Sequence, residues 1–331
     1  MRESATFRTA RRQTRISKGA ATLILAAFFS SAASAEYPDR PLRAIVPFSA
    51  GASNDTMARL IAPMLTKALG QQVIVENRPG ADGRIGIEAL ARAAPDGHTL
   101  LFSGGAVALI PALRRAVPYD PVRDVQPVAD LATAPYAIAT HPQVPAKNIA
   151  ELIGLAKRSP GKLNGAAGGN STFMNLALFQ LKTGTRIVTI PYKGTGDAAL
   201  AVVRGEADFA IMDLSNFLTH LPSGRIRILA VAGDRRSRAA PEIPTTKEAG
   251  LDFIAGALFI VFTTGRTPPD IVRRLNAEFN RIVSSPEITS RFAALGIDPA
   301  PRTVEECTRQ YLGDLAKWID VVARAKIPLE N

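Results

Sequence analysis

One cysteine, three histidines and one tryptophan occur in 331 residues, and aromatic side chains make up 6% of the chain. Each scarcity excludes something. Cys307 alone cannot close an intramolecular disulfide, so ordinary hydrophobic cores must hold the fold. Its setting, Val304-Glu305-Glu306-Cys307-Thr308, reads as the polar start of a helix with no histidine nearby in sequence, which fits a bystander thiol better than a nucleophile. His98, His141 and His220 show no metal-ligand spacing among themselves, so no metal is expected. Neither a G-x-S-x-G elbow nor a Walker-type phosphate loop is present. The basic residues are scattered apart from Arg235-Arg236-Ser237-Arg238, a solvated loop by composition. With so few aromatics to stack on bases, nucleic acid is not expected as a partner despite a formal net charge of +11.

Long apolar runs are also missing. Ala20 to Phe29 is the one stretch that approaches such a run, at about ten residues against the roughly twenty that cross a bilayer. It follows a basic segment (Arg2, Arg8, Arg11, Arg12, Arg15 and Lys18) and precedes Ala33-Ser34-Ala35, the small-x-small pattern of a secretory cleavage site. Residues 1–35 therefore read as a cleavable leader, with a mature start at Glu36 and a periplasmic, soluble product. Arg11-Arg12 suggests twin-arginine export, but Arg15 stands where that signal usually has an apolar residue. Cys307 lies far from the cleavage point, so no lipid anchor is expected. Without the leader 34 basic and 28 acidic residues remain, a net charge of +6.

What the chain does have is a repeated local grammar: an apolar run, a Gly/Ser/Asn loop, then a segment that reads as a helix. It occurs at Leu42–Phe48 with Ser49-Ala50-Gly51-Ala52-Ser53-Asn54-Asp55, at Thr99–Phe102 with Ser103-Gly104-Gly105, and at Leu163–Ala167 with Gly168-Gly169-Asn170-Ser171-Thr172. Each places small residues at a helix N-terminus, where four amides lack intrahelical partners and the macrodipole is positive. Such ends hold carboxylate or phosphate without a charged side chain. Several of them, in a chain with no evident catalytic set, point to holding an anion and not to transforming one.

Strand and helix patterns alternate along the chain. Strands are expected at 43–48, 73–75 and 98–102, with helices at 54–69 and 84–93 between them, Pro63 kinking the first helix or removing one of its hydrogen bonds. A second series has strands at 136–140, 163–167, 187–191, 207–212 and 226–231, with helices at 149–158, 172–183 and 196–204. After an apolar run at 253–262 the pattern is wholly helical, at 268–284, 286–295 and 304–325. This is an α/β chain of two lobes, each a doubly wound, mostly parallel sheet. A C-terminal helical layer without strands of its own packs on the first lobe and makes that lobe discontinuous: 36–137 plus 256–331, with 138–255 as the second. Crossovers then fall near 134–138 and 253–257, and two lobes joined by two strands can hinge around a cleft.

Further segments in order along the chain are Tyr37-Pro38-Asp39-Arg40-Pro41-Leu42-Arg43-Ala44-Ile45-Val46-Pro47-Phe48, Val75-Glu76-Asn77-Arg78-Pro79-Gly80, Ala94-Pro95-Asp96-Gly97-His98-Thr99-Leu100-Leu101, Val117-Pro118-Tyr119-Asp120-Pro121, Val144-Pro145-Ala146-Lys147, Pro160-Gly161-Lys162-Leu163-Asn164, Ile190-Pro191-Tyr192-Lys193-Gly194 and Arg274-Leu275-Asn276. In that order and spacing the sequence resembles the solute receptors of tripartite tricarboxylate transporters, the Bug proteins. The resemblance implies a periplasmic-binding-protein (Venus flytrap) fold that closes on a small organic anion and presents it to the membrane subunits of a transporter, as a monomer without a cofactor. Carried over residue by residue, it implies ligand contacts from Phe48, Gly51, Ser53, Asn54, Asp55, Ser103 and Ala106 in the first lobe, and from Asn170, Ser171, Thr172, Tyr192, Thr195 and Asp213 in the second.

The chain departs from the family pattern in three places. Ala52 and Ser53 stand where the first loop usually has glycine, Asn175 where a histidine is common, and Ala257-Leu258-Phe259-Ile260 where Ser-Trp-Phe-Gly is usual. Several roles also stay open on residue chemistry alone. Ser171 and Thr172 serve equally as helix caps or ligand contacts. Asp55 caps, orients the loop or receives an ammonium group; Asp213 meets an ammonium or hydroxyl, or makes a hinge hydrogen bond; Tyr192 is a lobe-interface residue or a contact. Dicarboxylates, tricarboxylates, acidic amino acids and aromatic carboxylates all suit such a pocket. A receptor that signals to a sensor kinase would share this cleft. A dinucleotide enzyme is the rival reading, from Gly194-Thr195-Gly196-Asp197-Ala198-Ala199, a G-x-G-x-x-A match with Asp213 downstream.

Overall fold

Strand β4 (Val125–Thr140) organises the molecule, because its two halves belong to two different sheets. In the computed structural model, which describes residues 37–330, the stretch from Val125 to Pro135 pairs antiparallel with β9 (Gly256–Thr264). From Tyr136 onward it pairs with β7 (Phe209–Asp213) and β8 (Arg227–Val231). The leader expected at 1–35 lies outside the described residues, and residues from Arg40 onward form one unit.

On the first side, β1 (Leu42–Val46) sits between β2 (Val73–Asn77) and β3 (Thr99–Ser103), both parallel to it, and β3 meets β9 antiparallel. On the second side, β5 (Asn164–Ala167) runs parallel to β6 (Val188–Pro191) and to β7. A short β10 (Asp298–Pro299) adds to β4. The result is the two-lobed α/β architecture expected from the sequence, with β4 and β9 supplying the antiparallel centre.

The helices follow from apolar spacing. In α1 (Ser53–Leu69), Met57, Ile61, Leu65 and Leu69 recur every fourth residue and are buried, and Gly70 ends the helix in the left-handed region with its N–H bonded to the Thr66 carbonyl. Pro63 lies inside α1 on its exposed face; the helix continues through it, without the N–H that proline cannot supply. Helices α2 (Arg84–Ala91) and α3 (Ala106–Leu113) complete the first lobe; α3 is apolar throughout and carries no amphipathic signature. In the second lobe lie α4 (Ile149–Arg158), α5 (Asn170–Thr183), α6 (Thr195–Val203) and the single turn α7 (Ser215–Leu218).

The C-terminal layer consists of α8 (Pro269–Val283), α9 (Pro286–Ala294) and α10 (Val304–Ala325). A capping box between Thr303 and Glu306 starts α10, which buries Tyr311, Leu315, Trp318 and Val322. It packs on α3 and β4, as expected for a layer on the first lobe, and it also reaches α5 of the second. The ring of Tyr311 meets Phe262 of β9 edge-on at 5.5 Å, and its hydroxyl donates to the Pro121 carbonyl.

Candidate functional site

Four helices point their N-termini into one cleft of about 940 Å³: α1 through Ser53 and Asn54, α3 through Gly105 and Ala106, α5 through Asn170 and Ser171, and α6 through Thr195. None of the four has a side-chain cap: the residues before them are Ala52, Gly105, Gly169 and Gly194. Helices α4, α9 and α10 are capped by Asn148, Ser285 and Thr303, while α2, α7 and α8 also lack a side-chain cap. First-turn amides have no intrahelical acceptor, so the uncapped ends leave donors facing the cleft.

Close backbone packing brings these ends together. Gly168 has no room for a side chain: a β-carbon there would stand 2.5 Å from the carbonyl of Gly194, so the loops before α5 and α6 are in direct contact. At Gly104 a β-carbon would stand 2.2 Å from the Leu258 carbonyl oxygen, which seats the loop before α3 against β9.

Of the residues expected to contact a ligand, Phe48, Gly51, Ser53, Asn54, Ala106, Asn170, Ser171, Thr195 and Asp213 line the cleft. Asp55, Ser103, Thr172 and Tyr192 are not on its wall, each for a physical reason. Asp55 is buried under the first loop: its carboxylate accepts from the Gly51 N–H at 2.9 Å, from Arg59 Nε at 3.0 Å and from Asn77 Nδ2 at 2.9 Å. These bonds, the Arg59 contact foremost, hold its pKa down at about 2 against the opposing effect of burial. Thr172 does the same one lobe away, its Oγ1 accepting from the Gly168 N–H at 2.8 Å and donating to the Gly169 carbonyl at 2.9 Å. In both loops a side chain four residues on clamps the preceding backbone; in the first loop the Ala52 N–H is also taken, by the Ser49 carbonyl at 3.2 Å. Ser103 is buried in β3, with no partner for its hydroxyl among the described residues. Tyr192 packs its ring against the apolar cluster around α6.

The glycine replacements in the first loop cost no unusual backbone. Gly51 keeps the left-handed conformation at φ 83°, whereas Ala52 is extended at φ −67° and Ser53 is already helical. Asn175 is buried, donates from Nδ2 to the Ser171 carbonyl at 2.9 Å and reaches the cleft.

Other wall residues were not singled out by sequence reasoning. Tyr136 stands where β4 changes sheets, and its hydroxyl lies 3.1 Å from Ser171 Oγ. Asp82 accepts from Asn170 Nδ2 at 3.5 Å across the cleft and lies 3.8 Å from Arg114, which pairs with Glu330 at 3.0 Å. Lys317 and Trp318 come from α10, a helix whose distance in sequence hides its place here. Asp213, half-buried at the end of β7, makes no ion pair among the described residues, and burial pushes its pKa up to about 6.

The sequence profile described as "Tripartite tricarboxylate transporter family receptor" matches residues 57–326. Protein BugT of Bordetella pertussis is 37% identical over 292 residues, which cover 86% of this chain and 89% of BugT. An R. palustris protein solved with adipate superposes with a TM-score of 0.73 at 28% identity, covering 89% of this chain and all of the other. MatC of Rhodopseudomonas palustris, solved with bound malate, superposes with a TM-score of 0.68 at 32% identity, covering 86% of this chain and all of MatC.

Proposed function

The chain belongs to the tripartite tricarboxylate transporter receptor family, and from that premise we propose that it is an exported periplasmic receptor that captures a small organic carboxylate between its lobes and delivers it to the membrane subunits of such a transporter. The observation that carries this reading is the convergence of four helix N-termini without side-chain caps on one cleft. Adipate and malate in the two R. palustris structures support the ligand class.

In this reading the lobes are 36–137 plus 256–331 and 138–255. They hinge where β4 leaves β9 for β7 between Pro135 and Tyr136, and where the Ala255 N–H reaches the Ala232 carbonyl. The amides of α1 and α3 from one lobe and of α5 and α6 from the other stabilise the same carboxylate-bearing molecule. A ligand touching both lobes binds the closed form better than the open one and shifts the population toward closure. Ser53, Asn54, Ser171 and Thr195 add hydroxyl and amide groups, while Asp55 and Thr172 position the loops. No covalent step is involved. Small-angle X-ray scattering tests the mechanism: saturating carboxylate lowers the radius of gyration, and an unchanged scattering curve with a bound ligand contradicts closure.

A further inference from the structure

Four consecutive residues of the first lobe, Gly80, Ala81, Asp82 and Gly83, have φ of 125°, 47°, 57° and 103°. Glycine takes such angles freely, whereas alanine and aspartate are strained there and stay only where their surroundings fix them. The surroundings here belong to the chain that leads into α1. A β-carbon on Gly83 would stand 3.5 Å from the Phe48 ring and from Pro47, and one on Gly86 would stand 2.7 Å from the Pro47 side chain. The segment between β2 and α2 is thus wedged against the residues that follow β1.

This placement fixes one carboxylate at the cleft. Oδ2 of Asp82 lies 3.8 Å from Nη2 of Arg114, a mostly buried side chain that is itself held 3.0 Å from Oε2 of Glu330. The backbone of Glu330 is bonded in turn to Leu113 and Arg115 at the end of α3. From this anchor the same Asp82 oxygen reaches into the other lobe and accepts from Nδ2 of Asn170, the first residue of α5, at 3.5 Å. That bond is at its long limit: lobes that separate break it, and lobes that approach keep or shorten it. It therefore favours the near arrangement of the lobes, and it acts at one of the uncapped helix ends of the cleft.

We propose that Asp82 is a positioning residue for capture: it joins the lobes through Asn170 and holds the N-terminus of α5 toward the first lobe, so that the ligand meets a cleft already biased to close. The strained backbone is retained because it aims this side chain. The role in capture rests on the carboxylate-receptor reading and deepens it.

Nitroxide labels at Lys67→Cys in α1 and Lys157→Cys in α4, exposed positions of different lobes, report the interlobe distance by double electron–electron resonance with no ligand added; the native Cys307 is buried. Asp82→Ala is expected to raise the ratio of separated to near lobes about fivefold, the worth of one hydrogen bond, and Asn170→Ala to do the same. The double variant moves no further than either single one, since each removes the same bond. Asp82→Asn keeps an acceptor oxygen and retains the near population. Asp82→Gly relieves the backbone while removing the carboxylate and matches the alanine variant, so the test stands even if the strained alanine protein does not fold. An unchanged distance distribution in Asp82→Gly, or shifts of the Asp82 and Asn170 variants that add in the double variant, overturns the proposal. Because the distance is read without ligand, that result leaves the carboxylate assignment standing; a protein that shows the latch and binds no carboxylate overturns the receptor reading and with it the role of Asp82 in capture.

Discussion

The hydroxyls of Tyr136 and Ser171 lie 3.1 Å apart, and through them the strand that runs through both sheets touches the first turn of α5. Tyr136 is 3% exposed, so its ring is fixed where the chain crosses between lobes, while Ser171 is open to the cleft. Beside Ser171, Thr172 is buried and bonded at both ends of its hydroxyl. Neighbouring residues of similar chemistry thus separate into one that faces the cleft and one that holds the loop.

Their variants separate accordingly. Ser171→Ala is expected to weaken carboxylate binding by about fivefold, the worth of one hydrogen bond of about 1 kcal/mol, with little change in melting temperature. Thr172→Val leaves the Gly168 N–H unpaired and lowers stability by about 1–2 kcal/mol. Calorimetric titration and thermal denaturation of both variants check the pair; a Ser171→Ala protein that melts early yet binds normally contradicts the assignment.

Asp55 predicts a pH dependence in the acid range. Its carboxyl pKa is depressed to about 2 by Arg59, Gly51 and Asn77, so its contribution to stability is complete above the unfolded value near 4 and is lost as pH falls through about 2. Urea denaturation between pH 5 and pH 2.5 shows this as a decline that Asp55→Asn flattens. At pH 7 the variant is less stable by about 2 kcal/mol, because hydrogen bonds to a charged group are lost.

Asp213 has the opposite sign. Burial raises its pKa to about 6, so the folded state tolerates the protonated form and stability falls as pH rises from about 4 through 6. Asp213→Asn is expected to raise stability at pH 7.5 by about 1–2 kcal/mol, allowing for the partial exposure of the group. An anionic ligand beside it favours the protonated acid, so carboxylate affinity falls between pH 5.5 and 7.5 in the unaltered protein and is flatter in the variant. Titrations in two buffers of different ionisation enthalpy measure the proton taken up; no uptake near pH 6.5 counts against the ligand lying next to Asp213.

Gly168→Ala places a methyl group 2.5 Å from the Gly194 carbonyl, and neither backbone has a flexible end that can yield. A loss of about 2 kcal/mol in stability is expected, together with weaker ligand binding because the N-termini of α5 and α6 are forced apart. Gly169→Ala, where the surrounding space is open but φ is 128°, separates backbone strain from collision.

Much of this architecture was legible in the sequence because alternating apolar runs and amphipathic helices obey short-range periodicities: α4 and α10 occupy the residues that their patterns indicate. The first half of β4 was hidden by Pro127 and Pro135, which argue against a central strand yet sit here at a register shift and at the change of sheets. The start of helix α3 was legible after the Ser103-Gly104-Gly105 loop, whereas its uniform apolar composition hid its extent. At the site, the loops were readable from Gly, Ser and Asn at helix starts, but the i to i+4 clamps of Asp55 and Thr172 depend on the turn each loop adopts. The apolar part of the cleft wall at Leu258, Ile254 and Leu295 joins segments that only the folded chain brings together, although the departure at 257–260 already drew attention to that wall.

In the proposed function the cleft between the lobes holds a carboxylate. After partial unfolding and refolding to strip co-purified ligand, a thermal-shift titration of the protein with mono-, di- and tricarboxylates, acidic amino acids, NAD and NADP addresses it most directly. The expected result is a saturable rise with a carboxylate, corresponding to about 2.7 kcal/mol when the ligand is at 100 times its Kd, that is reduced in Ser171→Ala. A rise with a dinucleotide alone, and none with any carboxylate, contradicts it.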